Sequence, residues 1–387
     1  VASLVVLAVA ENRRCAFVVE AAARLGWPAP RVVHWRDFLA DPAALDRALD
    51  AVIAQAEPSR PVWLRVDSPG EDWDVERALI AWGADVEDPE APRAERISAS
   101  AAASLAFERG RVRLGRQWYL GFVLALARVR ASVAARPLVR LTSDTDEIAA
   151  LFDKRATHAR LSARAVPTTP LLASPDTADA LRALTRERDE RRVFVKLWHG
   201  SSASGVVALR WDEASIAATT SAELAYVEGD WRLFNSLRVR RYTDEGDVRV
   251  LLDALFREGA IVERWMPKAT FDGDNYDLRV VTIAGRARHA VVRVGRSPMT
   301  NLHLGNRRGD LDRVRARLGD DRWQTVRARC ESVAEAFAQC NVLGVDVMLS
   351  PNLQDIRVIE ANAFGDLLPN ILDDGDDTYT AALRSLV

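Results

Sequence analysis

With 387 residues, 49% of them apolar, and no apolar run near the ~20 residues of a membrane span, the sequence reads as a soluble globular protein of two or three domains. A net charge of -2, with basic side chains offset by acids throughout, excludes a general nucleic-acid footprint. Cys15, Cys330 and Cys340 are too few and too widely spaced for a disulfide framework or a zinc knuckle, which fits a reducing cytoplasmic setting.

The apolar start, Val1 to Ala10, has no basic region before it and runs into Glu11-Asn-Arg-Arg14, so it reads as a first buried strand rather than a signal peptide. A helix over Arg13 to Leu25, a strand over Arg31 to His34, a helix over Ala43 to Gln55, a strand over Val62 to Val66 and a helix over Trp73 to Trp82 follow. That alternation implies a small parallel α/β domain, and the lack of Gly-x-Gly-x-x-Gly after its first strand argues against a dinucleotide site. Asp67 to Asp72 follows a strand end, where such sheets bind ligands, though an ordinary turn also accounts for it. Beyond an alanine-rich connection come a helix over Gln117 to Ala134, one helix over Glu147 to Ala163, and a charged helix over Asp176 to Glu190. Val193 to Lys196 and Val206 to Arg210 make a hairpin with a small-residue tip. Residues 211 to 260 resist placement apart from a helix over Val248 to Arg257. Ile261 to Met266, Asp277 to Ile283 and Arg288 to Val294 then alternate as antiparallel strands, and a helix over Asp321 to Gln339 leads into a last hairpin.

In that hairpin, Val342 to Leu349 and Ile356 to Asn362 flank the turn formers Ser350 to Asp355. Folding about residue 353 sets Asp346 opposite Glu360, with Asn362 on the same face as Glu360. Two facing carboxylates repel unless a cation lies between them, and an all-oxygen set suits Mg²⁺. The alternative is an exposed sheet face with ordinary acids.

Among 53 basic side chains only Lys154, Lys196 and Lys268 are lysines. In a chain that otherwise takes arginine, a lysine points to a need for a compact ammonium, and phosphate binding is one such need. Lys196 ends a strand and is followed by His199-Gly-Ser-Ser-Ala-Ser-Gly205, whose backbone and hydroxyl donors suit a polyphosphate. Glu263, beside Trp265 and Met266, has the edge and the flat apolar neighbours an adenine needs. Asp277 and Arg279 share a strand face with Arg293 on the next strand, an arrangement that serves a salt bridge as well as it serves phosphate. His303 sits in a polar loop, where a loop hydrogen bond suits it better than a role as general base.

Asp153-Lys154, a strand lysine, a glycine-serine lid, Val-Glu-Arg-Trp, Asp-Leu-Arg, Gly-Val-Asp and Glu-Ala-Asn, in that order, resemble the ATP-grasp superfamily over residues 141 to 370. Within it the chain is most similar to the ribosomal-protein glutamate ligases and their amino-acid ligase relatives, through Asp277-Leu-Arg279 and Thr300-Asn-Leu-His-Leu-Gly305. The resemblance implies an α/β (α+β) protein with a pre-ATP-grasp domain over 1–140, a central lobe with the lid over 141–260, and a C-terminal lobe with the metal site over 261–387. It implies that ATP is held by Lys154, Lys196, Gly200, Ser201, Ser202 and Gly205, with Glu263 on the adenine and Asp277 on the ribose. Asp346, Glu360 and Asn362 would bind Mg²⁺ or Mn²⁺, and Arg293, Lys196 and Asn301 would serve the reaction centre. The implied activity is ADP-forming ligation of a carboxylate, through an acyl phosphate, to an amine or thiol acceptor on a small molecule or peptide. A small-molecule kinase and a non-catalytic nucleotide-binding module are the alternatives, and related enzymes often form dimers or tetramers. Lys196→Ala is expected to abolish turnover and leave the fold intact. Ala203, where the lid of these ligases has glycine, implies a stiffer loop, and Met299, where the nearest relatives have arginine, argues against a glutamate-like acceptor.

Overall fold

The computed structural model describes residues 2–200, 203–212, 215–365, 368 and 370–387. The alternation at the N-terminus gives a four-stranded parallel sheet of β1 (Ser3–Ala8), β2 (Arg31–His34), β3 (Val62–Val66) and β4 (Val139–Leu141), in the order β2-β1-β3-β4. Asn12 and Asp72 cap the helices Arg13–Arg24 and Trp73–Trp82 by accepting from backbone N–H groups, and these elements lie where the sequence sets them.

The central sheet has six strands in the order β5-β10-β6-β7-β8-β9. They are β5 (Leu171–Ala173), β6 (Arg192–Leu197), β7 (Val207–Trp211), β8 (Ile216–Val227), β9 (Asp230–Tyr242) and β10 (Ala260–Arg264). The stretch 211 to 260 is thus mainly one long hairpin followed by the helix Glu245–Arg257. Its two-residue turn, Glu228-Gly229, takes φ of 52° and 85°, both positive as a tight primed turn requires. Glutamate is a poor signal for that turn, which is why the hairpin is hard to read from sequence. The strand around Ile261 also differs from expectation. It pairs with β5 and β6 instead of continuing the later strands.

The third sheet contains β11 (Thr270–Phe271), β12 (Asp274–Ile283), β13 (Arg286–Gly295), β14 (Arg307–Gly309), β15 (Val342–Leu349) and β16 (Ile356–Asn362). Its order is β14-β13-β12-β15-β16, with β11 on β12, and the helix Asp320–Ala336 packs along it through Val326, Cys330 and Val333. The N-terminal and C-terminal sheets share one apolar core, whereas the central sheet packs its own against the helix Glu245–Arg257. The three cysteines are free and buried. Among the described residues no helix is long and apolar enough to cross a membrane.

One helix expected over Glu147 to Ala163 is two, Thr145–Phe152 and Lys154–Ala163. Asp153 leaves helical geometry at φ −104° and ψ 110°, and its carboxylate caps the second helix through the Arg155 and Ala156 amides. That break makes Lys154 a first-turn residue, whose own amide donates to the Trp198 carbonyl at the root of the lid.

Candidate active site

Between the central and C-terminal sheets lies a narrow cleft with a free volume of about 80 Å³. All three lysines of the chain line it, and so do all three methionines, Met266, Met299 and Met348. Phe194, Gly200, Glu263, Arg293, Asn301, Asp346 and Glu360 join them.

The strand registers explain how these side chains meet. Lys196 stands opposite Ile261, so Glu263, two residues along β10, is its diagonal neighbour on the same face. Lys196 Nζ reaches Glu263 Oε2 at 2.8 Å, and Thr169 Oγ1 donates to the same oxygen at 2.6 Å. Asp277 is directly opposite Arg293, Arg279 opposite Asp346, and Asp346 opposite Glu360. The expected facing of Asp346 and Glu360 therefore holds, and charged side chains of both signs are spread over four strands. Arg293 Nε donates to Asp277 Oδ1 at 2.8 Å and a second arginine nitrogen lies 3.1 Å from Asp346 Oδ2. Arg279 grips both oxygens of Asp346. Lys154 Nζ donates to Glu360 Oε1 at 2.6 Å and to the Gly200 carbonyl at 2.7 Å, tying the lid root to the last strand. Lys268 Nζ donates to Asp277 Oδ2 at 2.8 Å and to Thr300 Oγ1 at 3.0 Å, while the Thr300 hydroxyl donates to Asp277.

Each ammonium is thus matched to its own carboxylate: Lys154 to Glu360, Lys196 to Glu263, Lys268 to Asp277. Burial raises the Glu360 carboxyl, but Lys154 and Lys196 outweigh it and bring the group down to about 2. Burial likewise opposes ionisation of Asp277, and Arg293 and Lys268 overcome it, holding this carboxyl well below its usual range. Burial pushes the Arg293 guanidinium down, and Asp277 and Asp346 more than reverse that. All of these groups stay charged near neutral pH.

The oxygen donors fit a hard cation unevenly. Glu360 Oε2 and Asn362 Oδ1 take no partner among the described residues, although Asn362 lies outside the cleft lining and its amide nitrogen donates to the Gly344 carbonyl at 3.3 Å. Asp346 already accepts from two guanidiniums, so a metal there would share its oxygens with them. Among the described residues no group of three or more histidine, cysteine or acidic side chains is arranged to hold a metal ion. The fit is therefore that of an ion keeping several waters and bringing a ligand with it.

Other expected residues divide. Ser201 and Ser202 lie outside the described residues. Gly205 packs rather than lines the cleft: its φ is 64°, and a Cβ there would meet Leu197 Cδ1 at 2.7 Å. Ala203 does line the cleft and adopts φ of 61°, the left-handed region that costs a non-glycine residue about 1 kcal/mol. Its carbonyl takes the Ser221 hydroxyl at 2.7 Å, which fixes the end of the lid. At the other end His199 stacks on Tyr119 with ring centroids 3.8 Å apart, and burial drops its pKa to about 3, leaving a neutral ring. Asp277, expected against a ribose, lines the cleft and is the counter-ion of Lys268 and Arg293. Thr169 was not expected in the site, and Lys268 and Thr300 stood out in the sequence without an assigned role; the rarity of lysine and of methionine is the signal that marks the cleft.

No protein-family profile matches the sequence, and no curated protein is similar to it. Solved structures are similar in shape. D-cycloserine synthetase DcsG superposes over the full length of both chains with a TM-score of 0.55 at 15% identity. The ATP-grasp ligase PsnB, in a complex with a phosphomimetic variant of its minimal precursor, Mg and ADP, covers 100% of this chain and 97% of its own at a TM-score of 0.52 and 13% identity. The macrocyclase MdnC from Microcystis aeruginosa MRC, bound to precursor peptide MdnA, reaches 0.50 at 10% identity over 100% of this chain and 99% of its own. The chain has the ATP-grasp fold, with mixed α/β architecture and antiparallel sheets forming its lobes.

Proposed function

We propose that the protein is an ATP-dependent ligase that activates a substrate carboxylate by phosphoryl transfer and joins it to an amine, releasing ADP and phosphate. The observation that carries this reading is the gathering of all three lysines of an arginine-rich chain in one cleft, among four carboxylates and all three methionines. Lys154 and Lys196 release Glu360 and Glu263 to grip phosphate oxygens as point charges. Met266, Met348 and Phe194 supply soft apolar walls for a flat base, with Glu263 beside them. Arg293, fixed by Asp277 and Asp346, faces the transferring group from a preorganised position, and Asn301 lines the same end. Magnesium, when bound by Glu360 and Asn362 with Asp346 beside them, would neutralise phosphate charge. The Mg and ADP of the PsnB complex support a nucleotide here, and Thr300 to Gly305 with Asp277 and Arg279 support a relation to the amino-acid ligases.

Calorimetric titration with a non-hydrolysable ATP analogue, with and without Mg²⁺, tests the reading. Micromolar, metal-dependent binding is expected, followed by ADP release that needs both an acid and an amine. An absence of binding in both conditions sinks the nucleotide site, and release of a phosphorylated product without an amine sinks the ligase.

A further inference from the structure

We propose that Lys268 is the seat of the substrate carboxylate, and that the end of the cleft around it selects an acid with an uncharged, apolar body. This rests on the ligase reading above and adds a residue and a substrate class to it. Lys154 and Lys196 suffice as point charges for a polyphosphate, yet the chain places its third lysine on Asp277 and Thr300, beside the loop of Pro298, Met299 and Asn301. An ammonium has three N–H donors. Lys268 uses two, on Asp277 and Thr300, and the third has no acceptor among the described residues. Lys268 and Arg293 hold the two oxygens of the same Asp277 carboxylate, so an anion on Lys268 lies beside the arginine that faces the transferring group. Close, fixed placement of that kind is what transfer between two bound groups demands. The apolar wall beside Lys268 is Pro298 and Met299, against which a second charge on the acid would be desolvated.

Because the chain has only three lysines, protein labelled with ¹⁵N and ¹³C in lysine alone gives one side-chain signal from each, assigned with single Lys→Arg variants. The magnesium complex of the ATP analogue should shift the Lys154 and Lys196 signals. Hexanoate added next should shift Lys268 saturably, about tenfold more tightly than glutarate, whose second carboxylate would be desolvated. Lys268→Met should lose hexanoate binding and keep nucleotide affinity, and Lys268→Arg should recover part of it. Hexanoate that leaves Lys268 unmoved while nucleotide moves the other two overturns this inference alone, as does a loss of nucleotide affinity in Lys268→Met. Equal binding of glutarate overturns the apolar selectivity, and nucleotide that moves none of the three overturns the ligase reading together with this one.

Discussion

Lys196→Met should do more than remove a phosphate contact. Lys196 and Glu263 bury all but 10% and 4% of their side chains, and without the ammonium the Glu263 carboxylate keeps only the Thr169 hydroxyl. Breaking one side of a buried pair costs about 3–5 kcal/mol, because the remaining charge is desolvated and uncompensated. The expectation that a Lys196 truncation leaves the fold intact is therefore revised: the central lobe should melt lower by roughly 10 °C. Replacing both partners, Lys196→Met with Glu263→Gln, removes the orphan charge and keeps an acceptor for Thr169, so most of that loss should return. Thermal unfolding of the wild type, both single variants and the double variant gives the cycle, and analogue titration of the double variant gives the phosphate contribution separately. A single variant within about 1 kcal/mol of wild type would refute the pairing. A double variant that binds nucleotide as tightly as wild type would refute Lys196 as a phosphate ligand.

Lys154→Met should let Glu360 rise from about 2 toward its ordinary 4.5. A depressed carboxyl contributes stability that is present above pH 4.5 and lost as pH falls toward 2, so the variant should begin acid unfolding at higher pH than wild type, followed by far-UV circular dichroism. Glu258, which accepts from the Gly115 amide at 2.9 Å, is pushed by burial up to about 7. Between pH 4.5 and 7 the folded state keeps a proton the unfolded chain has lost, so this group makes stability fall by about 3 kcal/mol as pH rises through that window. Glu258→Gln should flatten the dependence, read from urea unfolding at both ends. Gly121→Ala should cost about 3 kcal/mol or more, because its Cβ would lie 1.8 Å from the Leu79 carbonyl and the helices Trp73–Trp82 and Gly115–Ala134 would have to part. A chemical denaturation midpoint unchanged in that variant would contradict the close crossing.

The N-terminal sheet was readable because each of its strands is a short apolar run bounded by caps and turn formers, with helical periodicity between. The last hairpin was readable in part. The turn formers locate the hairpin, but Leu349 with Ile356 and Met348 with Arg357 centre the turn between residues 352 and 353, and a one-residue bulge between Asp346 and Val347 is what brings Asp346 opposite Glu360. What sequence could not show was which sheet a strand joins. Ala260–Arg264 carries a pattern suited to either lobe, and only packing against β6 decides it, which is also what delivers Glu263 to Lys196. The break at Asp153 was hidden because aspartate is tolerated within a helix pattern and becomes a cap only when the next turn is anchored elsewhere, here at Trp198. Diagonal and cross-lobe partners such as Lys154 with Glu360 leave no trace in spacing at all.

The one-to-one matching of lysines and acids has a consequence for how the cleft would work. A site built only of cations would attract polyphosphate strongly, but unliganded it would place several like charges within a low-dielectric cleft and lower the stability of the protein. Pairing each ammonium with a carboxylate removes that cost, and the pairs span the two lobes at Lys154 and Glu360. Phosphate then has to displace the carboxylate from its lysine, which strands an acid unless a cation takes it over. Nucleotide and metal should for that reason bind together far better than either alone, with coupling carried by the Lys154 and Glu360 pair. Lys154 also holds the Gly200 carbonyl, so a phosphate taken up by this lysine would loosen the root of the lid as well.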